Sequence, residues 1–154
     1  MKHPPQVRSS PAGWEPRGGE GGMRGENDLS VLLRSMEPLL DPVEMGYGHL
    51  PPGQALPPGL APFAVIAEAE GLTVVASAVE LARHGVAHDP GWARISLTVH
   101  SDLAAVGLTA ALATALAAEG ISANVVAGYF HDHLFVQWDR RFDAMTALAR
   151  LGAA

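Results

Sequence analysis

The chain of 154 residues contains no cysteine. Disulfide bonds, thiolate catalysis, cysteine-ligated zinc and iron–sulfur clusters are therefore excluded, and the fold has to be stabilised by its apolar core. Positive charge is also scarce, because 10 Lys and Arg stand against 16 Asp and Glu and the net charge is -6. A nucleic-acid-binding domain normally carries a basic surface, so no nucleic-acid partner is expected.

Long apolar runs are missing as well, although 48% of the residues are hydrophobic. No segment approaches the roughly 20 apolar residues that a membrane-spanning helix needs. The N-terminus has no apolar run of the kind found in a secretory signal. We therefore expect no membrane partner and a cytoplasmic protein, with one compact domain or two small subdomains that share a core.

The N-terminal segment, residues 1–26, is rich in proline and glycine and has almost nothing to bury. This composition predicts a disordered tail. Order is expected to begin at Asn27 or Asp28, because either side chain can cap a helix. The apolar residues of that short helix follow at helical spacing and are Leu29, Leu32, Leu33 and Met36.

The first half of the ordered chain predicts three strands followed by a helix. Ser77 and Glu80 have the spacing of a capping box, and Gly85 stands where a left-handed helix end is expected. The predicted strands are residues 43–50, 63–69 and 72–76, with a Pro/Gly-rich loop at 51–58 and a second loop at 86–91.

The second half shows clearer periodicity. Residues 94–100 alternate strictly between apolar and polar side chains, which is typical of a strand with one buried face. Leu108, Leu112 and Leu116 form the stripe of a helix that ends at Gly120. The other predicted elements are strands at 121–129 and 133–138 and a final helix capped by Asp139.

The predicted order is thus α-β-β-β-α followed by β-α-β-β-α. This order favours an α+β fold with antiparallel strands and helices on one sheet face. The polar side chains of the alternating strand, Ser96, Thr98 and His100, predict that the opposite face is polar. The first half is interpreted as a version of the second that lacks its leading strand.

The segment from Val106 to Ile121 resembles the signature of an ACT domain. In that family a glycine, here Gly107, opens the first helix, and the helix ends in a Gly-Ile pair, here Gly120 and Ile121. Over residues 105–111, 120–129 and 131–136 the sequence resembles, more narrowly, small stand-alone bacterial proteins with ACT-type halves. These proteins are related to the ACT regions of aspartate kinases and of arginine-sensing proteins.

The resemblance implies a ferredoxin-like ACT fold of the βαββαβ type. It implies two ACT-like halves, a degenerate one at residues 27–91 and a second at 92–154. It also implies a non-catalytic, allosteric regulatory protein without a cofactor, a homodimer that binds an amino acid between two units. The predicted order holds about six strands where two complete units need eight. One half is therefore expected to be incomplete or to be completed by another subunit.

The start of the helix at Gly107 is the main candidate site. The unpaired N–H groups of a helix N-terminus attract a carboxylate, and glycine lets a ligand approach the backbone closely. Asp102 could hold an amino group, although Ser101 or Asp102 could instead simply cap the helix. With the contacts that the resemblance implies, the predicted ligand-binding residues are His100, Ser101, Asp102, Val106, Gly107, Leu108, Asn124 and Val125.

Two alternative functions remain open at this point. His131 and His133 have the i, i+2 spacing of metal ligands on a strand, which would suit a metal-dependent enzyme. Asp132 between them is equally a residue for a hairpin turn, and no further ligand has a recognisable spacing. The other alternative is a structural module that pairs a sheet edge with a protein partner. The sequence assigns no catalytic residue and no metal ligand.

Overall fold

A computed structural model describes residues 25–153, so the predicted tail lies outside the described residues except for Gly25 and Glu26. The strands are β1 (Pro38–Leu50), β2 (Ala64–Glu68), β3 (Gly71–Ser77), β4 (His88–Leu97), β5 (Asn124–Ala127) and β6 (Asp132–Gln137). The helices are α1 (Leu29–Ser35), α2 (Ala78–Arg83), α3 (Leu108–Ala118) and α4 (Arg141–Ala153). The predicted order of elements and the α+β class are confirmed.

The six strands form one antiparallel sheet with the order β2-β3-β1-β4-β6-β5. Each half of the chain supplies three strands, and the leading strands β1 and β4 pair with each other at the centre. The first half therefore has its leading strand, contrary to the prediction. What it lacks is a helix after that strand, because the proline-rich segment 51–63 occupies the place that α3 has in the second half.

All four helices cover one face of the sheet. Leu32 of α1, Leu112 of α3 and Leu148 of α4 pack with Ile95 and Leu134 of the sheet in the larger core. Leu81 of α2 packs on the first half in a smaller core, with Leu50, Val74, Ala76 and Val86. No helix in residues 25–153 is long and apolar enough to cross a membrane.

The opposite face is not polar, as the alternation of β4 had predicted. Val75 and Phe135 on this face are fully buried, and Met45 is nearly so. The ring of Tyr47 packs edge-on against Phe135 at 5.6 Å, and that of Phe63 does so at 5.4 Å. The prediction failed because it used the polar residues of one strand, whereas neighbouring strands and the segment before β2 place aromatic rings beside them.

The central strand pair contains two irregularities, and the first falls within the predicted loop at 86–91. Between Met45 and Tyr47, β1 has one residue where β4 has two, so Pro90 and Gly91 form a bulge inside β4 rather than a loop. A second irregularity places residues 41–43 of β1 opposite Arg94. Proline is tolerated at bulges because the ladder hydrogen bond is already interrupted there.

Local capping largely follows the sequence. The side chain of Asp28 accepts hydrogen bonds at the start of α1, and Ser77 accepts one from the Glu80 N–H. Gly85 and Gly120 adopt a φ of +67° directly after the C-cap residues of α2 and α3. Asp139 does not cap α4, because it lies inside a 3-10 turn at Trp138–Arg140 that leads into the helix.

Candidate functional site

The start of α3 is an uncapped helix N-terminus. Gly107 precedes the helix with a φ of +102°, and no side chain accepts a hydrogen bond from the first turn. A side chain at this position would be strained, and its Cβ would lie 3.0 Å from Cδ2 of Leu29 in α1. The glycine therefore brings the first-turn N–H groups of α3 close to α1 and leaves them without a side-chain acceptor.

Ser101 and Asp102 do not cap this helix, which was the simpler interpretation of these residues. The Ser101 hydroxyl donates to Oδ2 of Asp132 at 2.8 Å. Oδ1 of Asp102 accepts from the N–H of Ala104 at 2.8 Å and so stabilises the local turn. The first turn of α3 is consequently free to bind another acceptor.

Asp132 is the residue at this site that the sequence analysis missed. It begins β6 and is buried with 9% of its surface exposed, rather than lying in a hairpin turn. A signal for this position was present, because Asp132, Leu134 and Val136 alternate and share one face of the strand. Asp132 therefore points to the helix-covered side of the sheet, where the other two residues enter the core.

The loop before α3 is held by the residues that precede α1. The Glu26 N–H donates to the His100 carbonyl at 2.8 Å, and the Asp102 N–H donates to the Glu26 carbonyl at 2.9 Å. A Cβ on Gly25 would lie 2.4 Å from the Asp102 nitrogen, so only glycine permits this close approach. Glu26 forms a parallel bridge with Ser101, which makes it an ordered part of the site.

These groups surround a small cleft of about 70 Å³ between the start of α3, the end of β5 and the start of β6. Polar and apolar atoms both face it. Of the predicted ligand-binding residues, Ser101, Asp102 and Leu108 line the cleft. The full lining is Ser101, Asp102, Leu103, Ala105, Leu108, Thr109, Ala127 and Asp132.

The other predicted residues do not line this cleft. Val106 is 84% exposed and, with Gly107, lies on the chain between the lining residues Ala105 and Leu108. His100 lies just before Ser101, with its ring 5.4 Å from that of Phe130. Asn124 and Val125 lie at the start of β5, whereas Ala127 at its end lines the cleft.

Two family models described as ACT domain match the chain, one over residues 24–90 and the other over residues 87–150. The chain belongs to the ACT domain family. The two matches together account for the tandem halves and for the ferredoxin-like fold. The division between residues 91 and 92 stays a prediction.

Solved structures share the fold of this chain over most of its length. A Vibrio cholerae protein of unknown function, described as a possible transport protein, is 43% identical, with a TM-score of 0.71 over 80% of this chain and 95% of its own. A protein from Agrobacterium tumefaciens is 20% identical, with a TM-score of 0.66 over 76% and 89%. The ligand-free regulatory subunit of aspartate kinase from Thermus thermophilus is 16% identical, with a TM-score of 0.57 over 76% and 98%. No curated protein matches the chain.

The first ACT half has a cleft at the corresponding place, but with different chemistry. It lies after β1 and beside the end of β2, and its lining includes Pro51, Pro52 and Glu68. Proline has no N–H group, and no helix of the described chain begins here, so this cleft lacks the helix N-terminus that α3 provides. Glu68 already accepts a hydrogen bond from the Thr73 hydroxyl. The clefts of the two ACT halves therefore differ in their chemistry.

Each of the two histidines that flank Asp132 has a hydrogen-bond partner within the protein. Nδ1 of His133 lies 2.8 Å from the Ser96 hydroxyl, and Nδ1 of His131 lies 3.3 Å from the Val99 carbonyl. Burial lowers the pKa of His133 below its ordinary value, and the charge of Arg94 acts in the same direction. Across residues 25–153, no three His, Asp or Glu side chains are grouped so that they could hold a metal ion.

Proposed function

We propose that this ACT protein is a non-catalytic regulatory protein that binds the head group of an amino acid at the start of α3. The observation that carries the proposal is the uncapped first turn behind Gly107, which lies beside the buried carboxylate of Asp132. Family membership supports a ligand-binding regulatory role. That the effector is an amino acid is part of the proposal.

The charges around the cleft favour a zwitterion over a simple anion. The partial positive charge of the α3 N-terminus attracts a carboxylate. The carboxylates of Asp132 and Asp102 repel an anion but attract an ammonium group, and both residues line the cleft. An α-amino acid carries both charges within one head group, so it satisfies the helix N-terminus and the aspartates together.

The size of the cleft indicates that one protomer holds only part of the ligand. Ligand pockets usually measure about 300 to 1,000 Å³, whereas this cleft measures about 70 Å³. Apolar side chains stand exposed near its mouth, among them Leu103 at 67%, Val106 at 84% and Tyr129 at 70%. We infer that a second copy of the chain closes the site and covers these side chains in a homodimer.

The residues around the cleft suit binding better than catalysis. The Ser101 hydroxyl donates its hydrogen bond to the Asp132 carboxylate, and no histidine among the described residues lines the cleft. A serine nucleophile normally needs a general base that is itself oriented by a third group. The proposed site therefore binds a ligand and helps to form a subunit interface. A cytoplasmic location stays a prediction.

A thermal-shift screen of the full chain against the twenty amino acids tests the proposal. A ligand at a hundredfold excess over its dissociation constant should stabilise the folded protein by about 2.7 kcal/mol. Asp132→Asn should abolish the shift, whereas Asp143→Asn, on the exposed surface of α4, should preserve it. If none of the amino acids stabilises the protein at millimolar concentration, the proposal is wrong.

A further inference from the structure

A second and larger cleft lies between residues 41–45 of β1, which include the second irregularity, and the segment 61–63 that precedes β2. Its volume is about 330 Å³, which falls within the usual range for small-molecule sites. No residue lines both this cleft and the one at α3. Its polar wall contains Asp41, Ser77 and Arg94, and its apolar wall includes Val43, Met45 and Phe63.

The bulge in β1 brings an aspartate and an arginine together in this cleft. Residues 41–43 stand opposite Arg94, and a terminal guanidinium nitrogen of Arg94 donates to Oδ2 of Asp41. Bulges commonly redirect a side chain and occur next to functional sites. Oδ1 of Asp41 accepts from the Val43 N–H at 2.9 Å, so the backbone of the bulge holds the carboxylate in place.

The arginine is held in position but has unused hydrogen-bonding capacity. Its guanidinium carbon lies 4.7 Å from the centre of the Phe63 ring, which restrains the side chain. A guanidinium has five N–H donors, and the acceptor found for Arg94 within residues 25–153 is Asp41. Its Nε is enclosed without an acceptor. The side chains of Arg94 and Asp41 are only 26% and 19% exposed, so their charges are partly desolvated.

We propose that this cleft is a second binding site, specific for the zwitterionic head group of an apolar α-amino acid. The ligand carboxylate binds the terminal N–H groups of Arg94, and the ligand ammonium group binds the free lone pairs of Asp41. The apolar side chain of the ligand packs against Val43, Met45 and Phe63. A plain anion would be repelled by Asp41, and a plain cation by Arg94.

Methyl NMR of the full chain with labelled methionines tests this site directly. Met45 lines the cleft, and Met36 lies in the core under the helices and serves as the internal reference. L-leucine, L-methionine and L-phenylalanine are titrated, each with its N-acetyl derivative and its decarboxylated amine. We expect saturable shifts of the Met45 methyl with at least one amino acid, and roughly tenfold or greater weakening when either charge is removed.

Variants separate recognition by the charged pair from simple packing. Asp41→Asn and Arg94→Lys should each weaken binding about tenfold, because a lysine cannot reproduce the planar fork of arginine. Arg150→Gln is the matched control, since Arg150 pairs with Glu119 on the surface at 3.4 Å. An unchanged Met36 methyl position shows that a variant is folded. If Arg94→Lys does not fold, the titrations of the natural chain with the ligand analogues still test the proposal.

Two results would overturn the second site. One is a Met45 methyl that does not move with any of the three amino acids up to about 10 mM, a range that detects even weak millimolar binding. The other is equal binding of the parent amino acids and their N-acetyl derivatives. Amide spectra of nitrogen-labelled protein are recorded in parallel, and a shift of the Gly107 amide without a shift of Met45 would leave the α3 site standing and reject this one.

Discussion

The hydroxyl of Ser101 donates a hydrogen bond to the carboxylate of Asp132 at 2.8 Å, and the two residues are 31 positions apart in the chain. Both are buried. The bond joins the loop that leads into α3 to the start of β6. It therefore couples the two walls of the candidate site, one of which carries the amide groups and the other the negative charge.

Removal of this hydroxyl should destabilise the protein. Ser101→Ala leaves the buried Asp132 carboxylate without its side-chain donor, which typically costs about 1 to 3 kcal/mol of unfolding free energy. Urea denaturation measures the change. Ser122→Ala is the control, because Ser122 is exposed and substitutions of this kind usually fall within about 0.5 kcal/mol. Equal stability of the two variants would show that the bond contributes nothing.

The pair of Gly107 and Leu29 should show strong coupling. Gly107→Ala combines a φ of +102° with a Cβ 3.0 Å from the Leu29 side chain, whereas Gly120→Ala meets nothing within 4 Å at a φ of +67°. Both changes carry a backbone penalty of about 1 to 2 kcal/mol. The Gly107 variant should lose clearly more. In a Leu29→Ala background the penalty of Gly107→Ala should shrink, and an unchanged penalty would contradict the packing described here.

The face without helices should behave as a second core. Phe135 is fully buried there, so Phe135→Ala should lower the unfolding free energy by about 3 to 5 kcal/mol. Phe142→Ala is a control of the same chemistry, since Phe142 is 63% exposed on α4. Chemical denaturation of both variants measures the difference. A loss below 1 kcal/mol for Phe135→Ala, on the scale of ordinary surface changes, would indicate that this face is only loosely packed.

His133 should make the protein less stable at acid pH. Burial first, and then the charges of Arg94 and His131, lower its pKa below 6.5, with Asp132 acting in the opposite direction. The unfolded chain therefore binds the proton at a higher pH than the folded chain does. Stability is fully present above about pH 6.5 and falls as the pH drops from there towards the folded pKa.

The effect of His133 is measured by comparing the unfolding free energies of the natural chain and two variants between about pH 7.5 and 5.5. His133→Gln should show a smaller loss of stability than the natural chain over this window, because its side chain does not titrate. His49→Gln, at an exposed histidine near the end of β1, should keep the full loss. An identical pH dependence in all three proteins would assign the effect to other groups.

Much of the local structure followed from sequence because its causes lie within a few residues. The spacing of Leu108, Leu112 and Leu116 predicted α3, and the left-handed preference of Gly120 marked its end. The capping pattern of Ser77 and Glu80 predicted the start of α2. The ACT signature around Gly107 also located the helix start at which the candidate cleft was found.

Tertiary structure decided the features that depend on which strands become neighbours. Alternation in β4 could not show that Phe63, which precedes β2, and Phe135 from β6 would cover its polar face. The burial of Asp132 likewise depends on the Ser101 loop that lies across it. Helix periodicity and capping act over one or two turns of chain, whereas sheet order and bulges depend on pairing between distant strands. The sequence by itself therefore determined the elements and their order, and the folded sheet determined which side chains meet.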